Sequence, residues 1–254
     1  MKDEKVITFK SASQAGQFGF LIGAEIIKAI DGQVESGVIQ RLIADKDESS
    51  EFKQFVSEIT ERILNIKSDP WKREKEKISK FTREVLGIEV DWTKVVIPTT
   101  DIPGMSYLEY IPASLSEDQL FALYAKQFGK DKVWKYYDSI TKAIKEQQAR
   151  PAGDYSMLHR GGDEPDTEHL NKSYNDFSQD GKKYMVVKEG LIAAMRYRFE
   201  TGKMYDVKGV TRFHALDSDG DVMCMSRFDD GQFSMDRSYR GNRLADYGPR
   251  EVSF

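Results

Sequence analysis

Residues 210–237 read VTRFHALDSDGDVMCMSRFDDGQFSMDR, and this stretch decides the fold class. Three runs, Val210 to Leu216, Asp221 to Arg227 and Gln232 to Arg237, are separated by Ser218-Asp-Gly220 and Asp229-Asp-Gly231. Asp-Gly between alternating runs signals a tight hairpin, because such turns need residues that accept positive φ. The spacing predicts a three-stranded antiparallel meander over 209–238. Strand alternation places Cys224 on the face of Val222, with Met223 and Met225 on the opposite face.

Upstream of the meander the period changes to that of a helix. Val187 to Glu200 reads as a helix closed by Gly202 in the left-handed cap position. Short strands alternate with short helices before it. Strands are expected at Lys94–Ile97, Tyr107–Ile111, Val133–Tyr137 and Asp154–Leu158. Between them, Ser114-Leu-Ser-Glu117 and Ser116-Glu-Asp-Gln119 both fit a capping box for a helix ending at Gly129. Asp138 is expected to cap a helix to about Gln148, and Pro165 to start one over 165–177. This mixture predicts an α+β fold, with a mixed α/β unit that ends in the meander.

The N-terminal part reads as helical. Phe18, Leu21, Ile22, Ile26 and Ile30 recur at helical spacing within 11–30. A shorter helix passes through Val38, Leu42 and Ile43, and another runs from Ser50 to Ile66 with a stripe from Phe52 to Ile66. Gly19 and Gly23, four apart, suit close packing within the chain or against another subunit. Ser68-Asp-Pro70 opens a helix to Leu86 that ends at Gly87. The organisation expected is a helical region over 1–88 followed by an α+β domain over 89–254.

The composition excludes several classes. The 254 residues are 39% hydrophobic, 31% charged and 11% aromatic, with a net charge of −4. Mean hydropathy is −0.58. That suits a packed core and is too polar for a membrane bundle and too aromatic for a wholly disordered chain. No run approaches the ~18–20 apolar residues of a membrane span, and no secretory leader pattern is present. One cysteine, Cys224, rules out an intramolecular disulfide framework. The expectation is a soluble, cytoplasmic protein.

From about Asp91 onward the chain resembles a family of uncharacterised proteins encoded mostly by small-genome, uncultivated bacteria. The likeness rests on blocks in fixed order. They are Val95-Val-Ile-Pro98, the helix from Ser116, Val133-Trp-Lys-Tyr-Tyr137, Tyr155-Ser-Met-Leu-His-Arg160, Phe199-Glu-Thr-Gly202, Tyr205-Asp-Val-Lys-Gly-Val-Thr211 and Ser218-Asp-Gly-Asp-Val222. Where the family tends to carry an acidic run after the tyrosine strand, Gly161, Gly162 and Pro165 interrupt it here. The resemblance implies a recurring unit from about residue 90 with a more variable helical part before it. It supplies no activity and no catalytic residues.

Four constellations bear on chemistry. His159 and His169 bracket Asp163, Glu164, Asp166 and Glu168, imidazoles and carboxylates that suit zinc, manganese or non-haem iron in a metal-dependent hydrolase built on His159, Asp163, Glu164 and His169; the competing reading is a polar loop. Asp217-Ser-Asp-Gly-Asp221 resembles the start of a calcium loop, but Gly220 stands at position 4 instead of 6, as a hairpin turn requires. Cys224 with His214 on the next strand is a candidate nucleophile, against a small core residue. The last 46 residues hold six arginines and no lysine, interleaved with aromatics and eight acids. Arg227, Arg237, Tyr239, Arg240 and Arg243 form the candidate recognition surface, with internal ion pairing as the alternative.

Seven bases and three acids over Lys67–Arg83 offer a nucleic-acid alternative, although the acids and a pI near 5.6 favour a solvated face. Gly-rich phosphate loops and the GxSxG elbow are absent. The leading expectation is a non-enzymatic binding protein without cofactor, whose partner is another protein or a second copy of itself.

Overall fold

The computed structural model describes residues 69–228 and 230–254. The helices expected within 11–66, with Gly19 and Gly23, and Lys67 and Ser68 lie outside the described residues. One compact unit spans Trp71–Phe254.

Helix α1 (Lys72–Phe81) continues through a π-helical turn, Thr82–Leu86, to Gly87, whose φ of 72° makes the expected left-handed stop. Trp71 occupies the N-cap position without a side-chain cap. Phe81, Val85 and Leu86 are buried in the main core. Helix α1 thus packs within the compact unit Trp71–Phe254.

Strand β1 (Tyr107–Ile111) follows, then α2 (Glu117–Phe128) and β2 (Val133–Lys135). Of the two possible capping boxes, Ser116 and Gln119 form the real one, each accepting the other's backbone N–H. Helix α3 (Ile140–Ala143) is capped by Ser139, not Asp138. It stops early because Lys145 and Gln148 donate their N–H groups to Leu216 and His214, making β3 (Glu146–Gln147) instead of the expected longer helix. Strand β4 (Tyr155–His159) comes next.

Two sequence expectations change here. Lys94–Ile97 joins no ladder; its Val96 carbonyl accepts from Ser156 Oγ at 2.6 Å, and Pro98, without an N–H, ends the segment. Residues 165–177 hold a 3₁₀ turn, Thr167–His169, and the short α4 (Tyr174–Phe177) in place of one helix. Asn171, at φ 61°, breaks the run between them.

Helix α5 (Val187–Thr201) ends at Gly202, φ 71°, as expected. The meander is formed by β5 (Val210–Leu216), β6 (Val222–Arg227) and β7 (Phe233–Ser238), paired antiparallel. Two short strands, β8 (Tyr247–Gly248) and β9 (Val252–Ser253), complete the chain.

The fold is α+β with two sheets. The smaller has the order β1-β4-β9, all antiparallel. The larger is mixed, in the order β2-β7-β6-β5-β3, with β8 parallel to β5 and β2 parallel to β7. Strand alternation divides the interior into three clusters. Ile111, Met157, Met223, Met225, Phe233 and Met235 share the main core with α5. The other face of the small sheet carries Leu108, Tyr110 and Leu158 with Ile78. The other face of the large sheet carries Val222 and Cys224 with Tyr174, Phe177 and Tyr184. Cys224 therefore shares a face with Val222 and opposes Met223 and Met225.

Helix α5 contacts both sheets and is buried from Val187 to Arg196 apart from Lys188. It carries two charges into the interior. Glu189 accepts from the Val186 N–H at 2.9 Å, Arg150 at 2.5 Å and the Tyr155 hydroxyl at 2.7 Å. Arg196 reaches Glu74 and Glu200, each at 2.6 Å, lies 3.4 Å from Glu109, and donates to the Leu108 carbonyl. Among the described residues no helix is long and apolar enough to cross a membrane.

Candidate functional site

The four residues read as metal ligands do not come together. His159 Nδ1 accepts the Gly161 N–H at 3.0 Å, so the imidazole proton sits on Nε2, facing Glu109 at 3.5 Å. Asp163 approaches the Tyr197 hydroxyl at 3.4 Å. Glu164 clamps a turn by accepting the N–H groups of Lys208 and Gly209 at 3.0 and 2.7 Å. His169 comes together with the other two acids of the bracketed run, Asp166 and Glu168, their ligand atoms within 4.8 Å of one another.

That trio is already neutralised. Arg160 pairs with Asp166 at 3.0 Å, Glu168 at 2.8 Å and Glu251 at 3.0 Å. His169 Nδ1 faces the Lys172 ammonium at 3.2 Å, so its Nε2–H donates to Glu251 at 2.9 Å. Burial opposes the Glu251 charge, but hydrogen bonds from His169, Arg160 and Lys182 outweigh it and hold the carboxyl below its usual range. Neither imidazole keeps a free lone pair for a metal.

The calcium-like loop is closed in the same way. Asp217 accepts the N–H groups of Asp219 and Asp221, and Arg237 pairs with all three carboxylates. Cys224 is buried, with Sγ 3.4 Å from the Val222 carbonyl oxygen, and burial pushes its thiol up to about 12. His214 packs edge-on against Tyr174 and Phe177. The geometry is that of a core residue, not an activated nucleophile. A thiol reagent such as DTNB should therefore modify native protein far more slowly than unfolded protein, with loss of protection following the urea transition. Rapid stoichiometric labelling at pH 8 without denaturant would contradict this.

The C-terminal arginines are largely engaged within the chain. Arg243 binds Asp176 through two hydrogen bonds, at 2.6 and 2.9 Å. Arg240 Nε donates to Asn175 at 3.2 Å. Arg212 and Arg250 are buried. Arg227 pairs across the ladder with Phe233, a main-core residue, and so lies on the core-side face of β6. Tyr239 is 65% exposed.

What the structure exposes instead is an aromatic surface on the large sheet. Trp134, Ser234 and Ser226 form one cross-strand row on the face turned away from the main core. The serine hydroxyls are hydrogen-bonded at 2.8 Å. Trp134 sits 5.5 Å from Phe228 and 6.5 Å from Tyr136, ring centre to ring centre. The Arg237 guanidinium lies over Tyr136 at 4.4 Å. All three rings are exposed by more than a third, whereas Tyr174 and Phe177 cover the neighbouring part of this face. Sequence reasoning does not single out Trp134 and Tyr136 as binding residues. Their signal was present, since residues two apart in a strand share a face.

No protein-family model, curated protein or solved structure matches this chain.

Proposed function

We propose that this is a binding protein, not an enzyme, which recognises a protein partner through the face formed by Trp134, Tyr136 and Phe228. The observation that carries this reading is three adjacent, partly exposed aromatic rings on one sheet face. Tryptophan and tyrosine are the residues that most often anchor protein interfaces. Recognition by the face is favoured over strand addition at the sheet edge. Strand β2 is three residues long and flanked or occupied by Lys132 and Lys135, which blunt an edge. The rings themselves are apolar, so the partner segment is apolar. Cytoplasmic location and membership of the uncharacterised bacterial family belong to the same proposal.

Peptide display against the full chain tests it, with a Trp134→Ser/Phe228→Ser variant as the counter-target. Enriched peptides should be rich in apolar residues and lose affinity for the variant by about 10-fold or more. Peptides that bind both proteins equally, or no saturable class at all, would defeat the proposal.

A further inference from the structure

The aromatic face has an acidic end. Tyr136 follows β2 and donates its N–H to the Met235 carbonyl at 2.9 Å, so the parallel register sets it beside Asp236. Asp236 stands two residues after Ser234 on β7 and shares its face, which is also the face of Trp134. The Arg237 guanidinium, 4.4 Å from the centre of the Tyr136 ring, gathers three more carboxylates there. It pairs with Asp219 directly, lies 3.5 Å from Asp221 and 3.6 Å from Asp217.

One guanidinium does not neutralise four carboxylates, and among the described residues no second cation pairs with them. The surplus charge lies outward. Asp217 keeps 2% of its side-chain surface and spends one oxygen on the N–H groups of Asp219 and Asp221. Asp219 and Asp221 keep 65% and 26%. Arg237, held by three carboxylates, is not free for an acidic partner. The other end of β2 has the opposite sign, since the exposed Lys132 precedes it. Lys135 contributes nothing to this face, because its ammonium lies 3.5 Å from Asp118 and over the Phe121 ring.

We propose that the partner segment carries a lysine or arginine beside its apolar anchors, seated at the Tyr136 end of the face and paired with Asp219 and Asp221, a reading that rests on the aromatic face being the docking surface. Charge complementarity selects this chemistry. Apolar side chains cover Trp134 and Phe228, and a cation next to them meets carboxylates that Arg237 leaves in excess. An acidic residue in the same place meets like charge and a guanidinium already engaged. Because Lys132 marks the other end, the basic residue has a fixed side, so the segment docks in one direction. The pair forms at the rim of the contact, where charge acts mainly on encounter and specificity while the rings supply most of the affinity.

Peptides enriched by display on the full chain test it, each synthesised as selected, with its basic residue changed to glutamine, and with that residue changed to glutamate. Fluorescence anisotropy at low and high salt reads the affinities. At low salt the selected form should bind about 3- to 5-fold more tightly than the glutamine form, as a rim ion pair gives, and the advantage should fade at high salt. The glutamate form should bind most weakly. Asp219→Asn/Asp221→Asn should erase the advantage and leave the glutamine form unchanged, which also shows that the variant folds. The three-peptide series on the native chain decides the question without the variant. Enriched peptides that lack a basic residue, or a glutamine form that binds as tightly as the selected one, overturn this inference and leave the aromatic face standing. Equal binding to the Trp134→Ser/Phe228→Ser variant removes the face itself, and the basic-residue pairing with it.

Discussion

Arg196→Met should lower the free energy of unfolding by about 3–5 kcal/mol, the usual result of removing one partner from a buried ionic cluster. Three carboxylates lose their guanidinium in this variant, and they are not equivalent. Glu74 and Glu200 keep 21% and 16% of their side-chain surface and can turn toward water, whereas Glu109, at 2%, cannot. Methionine nearly conserves the length of the arginine stem, so the loss comes from charge and not from an empty space. The double variant Arg196→Met/Glu109→Leu removes the stranded charge and should regain a large part of the loss. Urea titration of the three proteins gives both quantities. A loss below about 1 kcal/mol for Arg196→Met would mean the cluster behaves like a surface ion pair.

Gly190→Ala should also destabilise, by about 2–3 kcal/mol, against the direction that helix propensity alone gives. Alanine in a helix interior is favoured over glycine by about 1 kcal/mol. Here a Cβ at residue 190 would lie 2.2 Å from Phe213 Cε1 and 2.7 Å from Cζ. Both the ring and the helix are buried, so the overlap must be relieved by shifting α5 or the Phe213 ring, and overpacking of this kind costs about 1–3 kcal/mol or more. Phe213→Leu alone removes core volume and should itself destabilise. Combined with Gly190→Ala, it should cost less than the sum of the two single changes, because the added methyl enters the space the ring leaves. Thermal and urea unfolding of the four proteins would show this non-additivity. Simple addition, or a stabilised Gly190→Ala, would refute the contact.

Several parts of the fold were legible because their causes lie within a few residues. Ser116 and Gln119 cap each other, Gly87 and Gly202 each take the left-handed stop, and Asp-Gly sits in each turn of the meander. Alternation was equally local, and it assigned the faces of Val222 through Met225 correctly. The misread segments failed where a distant group competed with the local pattern. The helix expected up to Gln148 gives way because the Leu216 and His214 carbonyls take its N–H groups. The helix expected over 165–177 gives way where Asp166 and His169 are drawn to Arg160 and Glu251.

The candidate site shows the same limit. Arg237, Arg240 and Arg243 were found in the sequence as potential donors, but their partners, Asp219, Asn175 and Asp176, depend on how the chain returns on itself. Trp134 and Tyr136 share a face of the run Val133–Tyr137, and nothing in their spacing tells whether that face is covered.

By itself the sequence determined the α+β class, the antiparallel meander and most of the capped ends of its elements, since caps, turns and alternation are short-range chemistry. The tertiary structure alone decided which charges are neutralised, which histidine nitrogens are occupied and which aromatic face stays open. Those outcomes depend on contacts such as Arg196 with Glu74 and Arg160 with Glu251, between residues 122 and 91 positions apart. Such pairs leave no local periodicity in the chain, because burial and pairing are set by the surfaces that folding brings together.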